Sequence, residues 1–434
     1  METTASKSTQ ALTISVRGRR SLQGALDWLF TRQPLWRNGA YVSLWLTKIV
    51  SETGSQMSTV AFPLLALLLT HSAAVAGAVG ALRLAPYLLL SLPAGALVDR
   101  WDRRKVMLVC DAGRALALGS IPLALALGHL GAVQLCVVAA VEGTLFVFFD
   151  LAELAALPTV VSQEQLGAAS AQYLALTDGV TTLAGPALGG AVFALGRALP
   201  FLGDAISYAV SVVTLTRIRF PQQERSEGMA ALNWRAIVAD IREAAAWLWK
   251  SPLRALVGFF SVSNLLMEGQ ALLVIALAQR EGASASEIGL ILAIGGAGAI
   301  GGALFAERLA ARFSFHQLFL PLTWALVPLW LLYAITPTPL LLGVVMGALG
   351  AAVALINVTQ FTYRMALIPE QLQGRVNSVI RLLGYGGLPI GVALTGLVIQ
   401  SFGAVACALI FGGGMLALMV VATLTPSLRG KTTR

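Results

Sequence analysis

The sequence predicts an all-α polytopic membrane protein, and three observations carry that expectation. Of its 434 residues, 57% are hydrophobic and only 12% charged, against about 25% charged in a soluble domain. The apolar residues come in runs of roughly 20 or more, long enough to cross a hydrocarbon core as helices, and not in the 3.6-residue stripes of surface helices. The short alternating segments of a membrane β-barrel are missing. The net charge of +9 would suggest nucleic acid in a soluble chain. Here it records the basic excess of cytoplasmic loops, and no nucleic-acid partner is expected.

Residues 1–37 read as a polar, basic cytoplasmic arm with Arg17, Arg19, Arg20, Arg32 and Arg37. The arm lacks the short apolar core and small-residue cleavage site of a signal peptide. Its stretch 21–30 fits either an amphipathic helix on the inner membrane surface or a disordered tail. Twelve spans follow, at about 39–69, 73–98, 106–127, 131–156, 167–194, 199–216, 255–279, 286–306, 314–336, 339–366, 373–400 and 404–425. They divide into an N-terminal six-helix bundle (38–216) and a C-terminal one (255–426). A cytoplasmic linker with an amphipathic stretch at 234–249 joins them (217–254), and a cytoplasmic tail follows (427–434). The halves repeat. Leu-Pro158 followed by Glu164-Gln165-Leu166 recurs as Ile-Pro369 followed by Glu370-Gln371-Leu372, and Asp99-Arg100 recurs loosely as Glu307-Arg308. Such duplication is a mark of transporter folds. With both termini inside, most of the 30 lysines and arginines fall on the cytoplasmic side, and Arg197 and Arg280 fall outside.

Between the second and third spans stands Gly95-Ala-Leu-Val-Asp99-Arg100-Trp-Asp102-Arg103-Arg104-Lys105, a compact charge cluster that reads as a cytoplasmic hairpin loop. An acid there is drawn to the N-terminus of a neighbouring helix, and arginines pair with nearby carboxylates. The plainer alternative is a solvated, positive-inside loop. The fifth span carries Gly185-Pro186-Ala-Leu-Gly189-Gly190, where small residues permit close helix approach and proline bends the helix. In the eighth span, Gly296-Ala-Gly298-Ala-Ile-Gly301 matches a dinucleotide fingerprint by letters alone. No strand precedes it, so it reads as close-packed membrane helix.

Ionisable residues within spans are Lys48, Glu52, Arg83, Asp111, Arg114, Glu142, Asp178, Asp204, Glu268 and Arg381. Each is costly unless paired, neutralised or hydrated, so each should face the bundle interior or a cavity. Lys48 and Glu52 are spaced to pair on one helical face. Asp111 and Arg114, near the inner end of the third span, are grouped with the gate loop. The proton-coupling candidates are Glu142, Asp178, Glu52 and Glu268. Glu142 ranks first because no basic residue lies within a helical turn of it in sequence. A structural ion pair or hydrogen bond is the alternative for any one of them. Arg83, Asn264, Asn357 and Gln360 are candidates for substrate contact, with helix–helix hydrogen bonding as the alternative. Cys110, Cys136 and Cys407 fall inside apolar runs without metal-ligand spacing, so no metal site is expected.

The loop, the fifth-span motif, Asp204-Ala with Ser207-Tyr208, Gly374-Arg375-Val376-Asn377 and Gly387-Leu-Pro389-Ile-Gly391 resemble the major facilitator superfamily. Within it, the chain looks most like the group of macrolide efflux proteins and the enterobactin exporter. The loop has Asp102 where the family usually has glycine, and aspartate tolerates the left-handed backbone that glycine supplies. The resemblance implies twelve helices in two pseudo-symmetric halves, in the inner cell membrane, with both termini cytoplasmic. It implies a gate made by Gly95, Asp99, Arg100, Arg103, Arg104 and Lys105. Asp99 would reach the start of the eleventh span near Gln373 to Arg375, and Arg103 would pair with Asp150 or Glu153. It marks Gly185, Pro186, Gly189 and Gly190 as an exporter motif whose helix crosses the glycine-rich eighth span. The expected function is proton-driven antiport of small amphipathic molecules of drug, antibiotic or siderophore type, by a monomer with no cofactor beyond the proton gradient. An uptake symporter and a lysophospholipid flippase share the fold. A polytopic membrane enzyme is disfavoured, because three histidines, none in His-Glu-x-x-His, and no Gly-x-Ser-x-Gly offer no catalytic set. No phosphate-binding glycine loop points to ATP.

Overall fold

A computed structural model describes residues 34–98, 100–179, 183–217, 234–336 and 338–429. Among them there is no strand, in keeping with a solvent that cannot satisfy open backbone groups. In chain order the helices are α1 Gly39–Thr70, α2 Ala73–Val98, α3 Arg103–Ala126, α4 Ala132–Val160, α5 Gln163–Gly179, α6 Gly185–Leu195, α7 Leu199–Arg217 and α8 Trp234–Lys250. There follow α9 Leu253–Met267, α10 Gln270–Arg280, α11 Ala285–Ala310, α12 Phe315–Leu332, α13 Pro339–Leu367, α14 Gln373–Gly386, α15 Leu388–Phe402 and α16 Ala404–Leu424. Among the described residues, eleven helical segments are long and apolar enough to cross a membrane, with α9–α10 and α14–α15 each counted as one. The pair α5 and α6 makes the twelfth crossing.

One end of the molecule is defined by caps. Asn38 accepts from the Ala40 and Tyr41 amides at 3.1 and 3.2 Å, and its own amide donates to the Val160 carbonyl at 2.7 Å. It thus stops α1 and ties it to the end of α4. Asp102 accepts from the Lys105 amide at 3.1 Å, with an extended backbone at φ −64° and ψ 107°. The loop therefore needs a helix N-cap at this position, a task aspartate performs, and not a left-handed residue. Arg104 donates to the carbonyls of Leu215, at 3.0 Å, and Thr216, where α7 ends. A cation at a helix C-terminus meets orphan carbonyls and the negative end of the dipole. We call this the basic end.

Two spans expected to be continuous are broken. The seventh breaks at Glu268-Gly269 and the eleventh at Gly387. Pro389 brings no N–H to the first turn of α15, a position where none is needed. The two breaks in the second half lean on each other. Asn264 of α9 donates to the Gly384 carbonyl at 2.9 Å, and any side-chain carbon on Gly269 would collide with Thr395 of α15.

The halves meet at two crossings, both at the end opposite the basic one. A Cβ on Gly77 of α2 would lie 2.9 Å from the Cα of Gly396 on α15, and the Ala73 amide donates to Gln400 at 2.8 Å. A Cβ on Gly190 of α6 would lie 2.4 Å from the Ala285 carbonyl and 2.6 Å from the Cα of Gly289 on α11. The fifth span thus meets the eighth at Gly289, not at the Gly296–Gly301 run as expected. That run turns toward α13, where a Cβ on Gly298 would overlap the Gly347 carbonyl. Seven residues C-terminal to the crossing along the same helix is about two turns, enough to serve a second neighbour.

Candidate functional site

At the basic end the halves stand apart around a cavity of about 810 Å³. Leu84, Tyr87, Leu88 and Ser91 of α2 form one wall with Leu151 of α4. Gly374, Arg375, Ser378, Val379, Arg381, Leu382 and Tyr385 of α14 with Leu388 and Pro389 of α15 form the other, and Ile241 of α8 closes the rim. The lining is mostly apolar with a few polar groups, as in small-molecule sites generally. Helix α8 is held over the rim by Glu243, which accepts from Arg375 at 2.8 Å, and by the buried Ala244 and Leu248.

Behind the α2–α4 wall runs a column of charged groups belonging entirely to the first half. Glu142 of α4 is 2% exposed and bound by two arginines, Arg83 Nε of α2 at 2.7 Å and Arg114 of α3 at 3.3 Å. Arg83 also donates to Thr59 of α1 at 2.5 Å. Arg114 stacks over the Tyr208 ring, 3.9 Å from its centroid, and pairs with Asp111 at 3.4 Å. Ser211 of α7 donates to Asp111, and the Tyr208 hydroxyl meets Ser55 of α1 at 2.6 Å. Nearer the basic end, Lys48 lies 2.8 Å from Glu153 and 3.6 Å from Glu52, and Tyr173 donates to Glu153 at 2.6 Å. Toward the opposite end, Asp204 is fully buried; its Oδ1 accepts from Ser207 at 3.3 Å, and its Oδ2 has no hydrogen-bond partner among the described residues.

Several sequence-based expectations change. Glu142 is the most heavily paired acid of the set instead of an unpaired carboxyl, because its partners come from other helices. Arg103 pairs with neither Asp150 nor Glu153. It donates to the Ala155 carbonyl at 2.8 Å, since Lys48 and Tyr173 already hold Glu153. Asp111 and Arg114 belong with Glu142, not with the gate loop. None of Arg83, Asn264, Asn357 and Gln360 lines the cavity. Asn264 is engaged in helix packing, and Arg83 in the ion pair. Glu268 sits at the break between α9 and α10 and, among the described residues, has no cation within 4 Å. Asp99, the arm up to 33, 180–182, 218–233 of the linker and 430–434 lie outside the described residues, as does the side chain of Asp178.

Sequence reasoning missed Tyr87, Tyr173 and Tyr385, and it named Tyr208 for the family resemblance without a role in the charge column. Tyr208 was legible in part, since Asp204, Tyr208 and Ser211 share one face of α7 by spacing. The cavity tyrosines carried no such signal.

A family model described as transmembrane secretion effector matches residues 31–433. The multidrug efflux pump Tap of Mycolicibacterium fortuitum is 28% identical over 410 residues, covering 91% of this chain and 97% of that protein. The enterobactin exporter EntS of Salmonella typhimurium is 28% identical over 413 residues, covering 90% and 93%. A crystal structure of the nucleoside transporter NupG superposes with a TM-score of 0.70 at 15% identity, covering 89% of this chain and 99% of that one.

Proposed function

We propose, from the premise that this chain belongs to the transmembrane secretion effector family of the major facilitator superfamily, that it exports small amphipathic molecules in exchange for protons. The observation that carries this reading is the cavity of about 810 Å³ at the basic end, set against the glycine crossings that close the other end. The positive-inside rule puts the basic end in the cytoplasm. Cargo then enters from the cytoplasm and leaves once the crossings open and the basic end shuts, by rocking of the two halves. The similarity to an efflux pump and an exporter supports the outward direction.

The charge column supports proton coupling. Among the described residues inside the helix bundle of the first half, away from its end loops, Glu52, Asp111, Glu142, Asp150, Glu153 and Asp204 outnumber Lys48, Arg83 and Arg114. Surplus carboxyls in hydrocarbon are tolerated when they carry protons or meet water. With Glu142 committed to two arginines, the coupling role passes to Glu268, which lies at a helix break in mid-span without a cation, and to Asp204. Glu52 remains tied to Lys48.

The test uses inside-out vesicles with an acidic lumen. Addition of a transported dye should raise lumen pH. Glu268→Gln should abolish that rise while leaving gradient-free dye exchange intact. Dye accumulation that survives collapse of the proton gradient would sink antiport.

A further inference from the structure

We infer that the cavity takes its cargo as an anion, held by Arg381, with a flat apolar body laid between Tyr87 and Tyr385. The inference rests on the export reading above and gives it a substrate class.

Arg381 lies on α14, inside the eleventh span, and lines the cavity. Among the described residues no carboxylate stands within 4 Å of it. The other guanidinium on the same wall, Arg375, is already engaged with Glu243 at 2.8 Å. An ionised side chain at membrane depth is costly unless it meets a partner or water. Here the partner is missing from the protein, and the space in front of Arg381 is a cavity large enough for a drug-sized molecule. A guanidinium presents a planar fork that matches carboxylate, sulfonate or phosphate oxygens in pairs. Tyr385 is one helical turn from Arg381 on the same wall, and Tyr87 stands on the facing one, so the cavity has an aromatic side chain on each side. Leu84, Leu88 and Leu382 supply apolar contact.

Among the described residues of the facing half, Asp150 of α4 interacts electrostatically with Arg381, yet the two form no ion pair. Asp150 does not line the cavity, and Lys48 acts on it more strongly than Arg381 does. The wall that cargo meets is therefore positive, with a displaced counter-charge across the gap. An anion entering the gap becomes the partner that Arg381 lacks among the described residues.

The test is equilibrium binding to the purified full-length chain in non-ionic detergent, with two fluorescent probes of the same ring body. One is the anion anilinonaphthalene sulfonate, the other the uncharged N-phenylnaphthylamine. Arg381→Gln should weaken the anion by about tenfold or more, the loss of a charge-assisted contact, and leave the neutral probe within about twofold. Asp150→Asn should tighten the anion, because the competing charge is gone. Retained binding of the neutral probe certifies a folded cavity. Equal losses for both probes, or no loss for the anion, overturn the inference. Displacement of the anion by phosphatidylglycerol, dependent on Arg381, would make the site a lipid-headgroup site and overturn the cargo reading. The measurement needs no gradient, so a failure of proton antiport in vesicles leaves it standing, and its own failure leaves antiport untouched.

Discussion

Glu142 joins three helices by a single carboxylate, accepting from Arg83 on α2 and Arg114 on α3. Both arginines depend on it, and among the described residues Asp111 is the one other carboxylate on Arg114, beside the rings of Tyr208, Phe146 and Phe149. Removing one partner of a buried ion pair strands the other charge, at a cost of about 3–5 kcal/mol. Glu142→Gln is therefore expected to lower the unfolding midpoint of the purified protein clearly, while Glu268→Gln leaves it near the wild type. An unchanged midpoint for Glu142→Gln would show that the arginines find water or another acceptor. The partners of Glu142 could not be read from the sequence, because they lie 59 and 28 residues away. The Lys48–Glu52 contact at 3.6 Å could be, because a spacing of four fixes neighbours on any helix. Glu153, the nearer partner of Lys48, was again a matter of tertiary packing.

At the scale of elements, the span limits followed from apolar run length to within a few residues. The second span, expected at 73–98, is Ala73–Val98. The breaks did not follow, since a continuous apolar run has the same hydropathy whether its backbone is one helix or two. Gly269 and Gly387 mark the breaks, but glycine is common throughout this chain, with 43 in all, and carries little positional information alone. The crossings make a direct prediction. Gly190→Leu puts a side chain where a Cβ would already stand 2.4 Å from the Ala285 carbonyl. It should hold the ends of α6 and α11 apart. If the halves move as rigid bodies, a cysteine pair at Ala73 and Gln400, across the other crossing, should then cross-link less than in the parent chain. Unchanged cross-linking would mean that the two crossings open independently.

Across the whole molecule, the fold class and the twofold repeat were legible, and the division of chemistry between the halves was not. The first bundle holds the buried ion pairs, and the second faces the cavity with α14 and its arginines. Sidedness is open to direct measurement. A membrane-impermeant thiol reagent applied to intact cells should label a cysteine at Arg197 and spare one at the exposed Trp101, and the reverse pattern would invert the orientation. The charge column also bears on how the chain is made. On α1 and α3, Lys48 with Glu52 and Asp111 with Arg114 are matched within one helix, so each helix can enter the bilayer with its charges already paired. On α2 and α4, Arg83 and Glu142 have no partner on their own helix, and each adds about 2.5–3.5 kcal/mol to insertion at mid-membrane. Nascent chains truncated after α3 should therefore insert α2 poorly, and Arg83→Leu should restore insertion. During synthesis, α2 should then stay at the edge of the bilayer until α4 emerges.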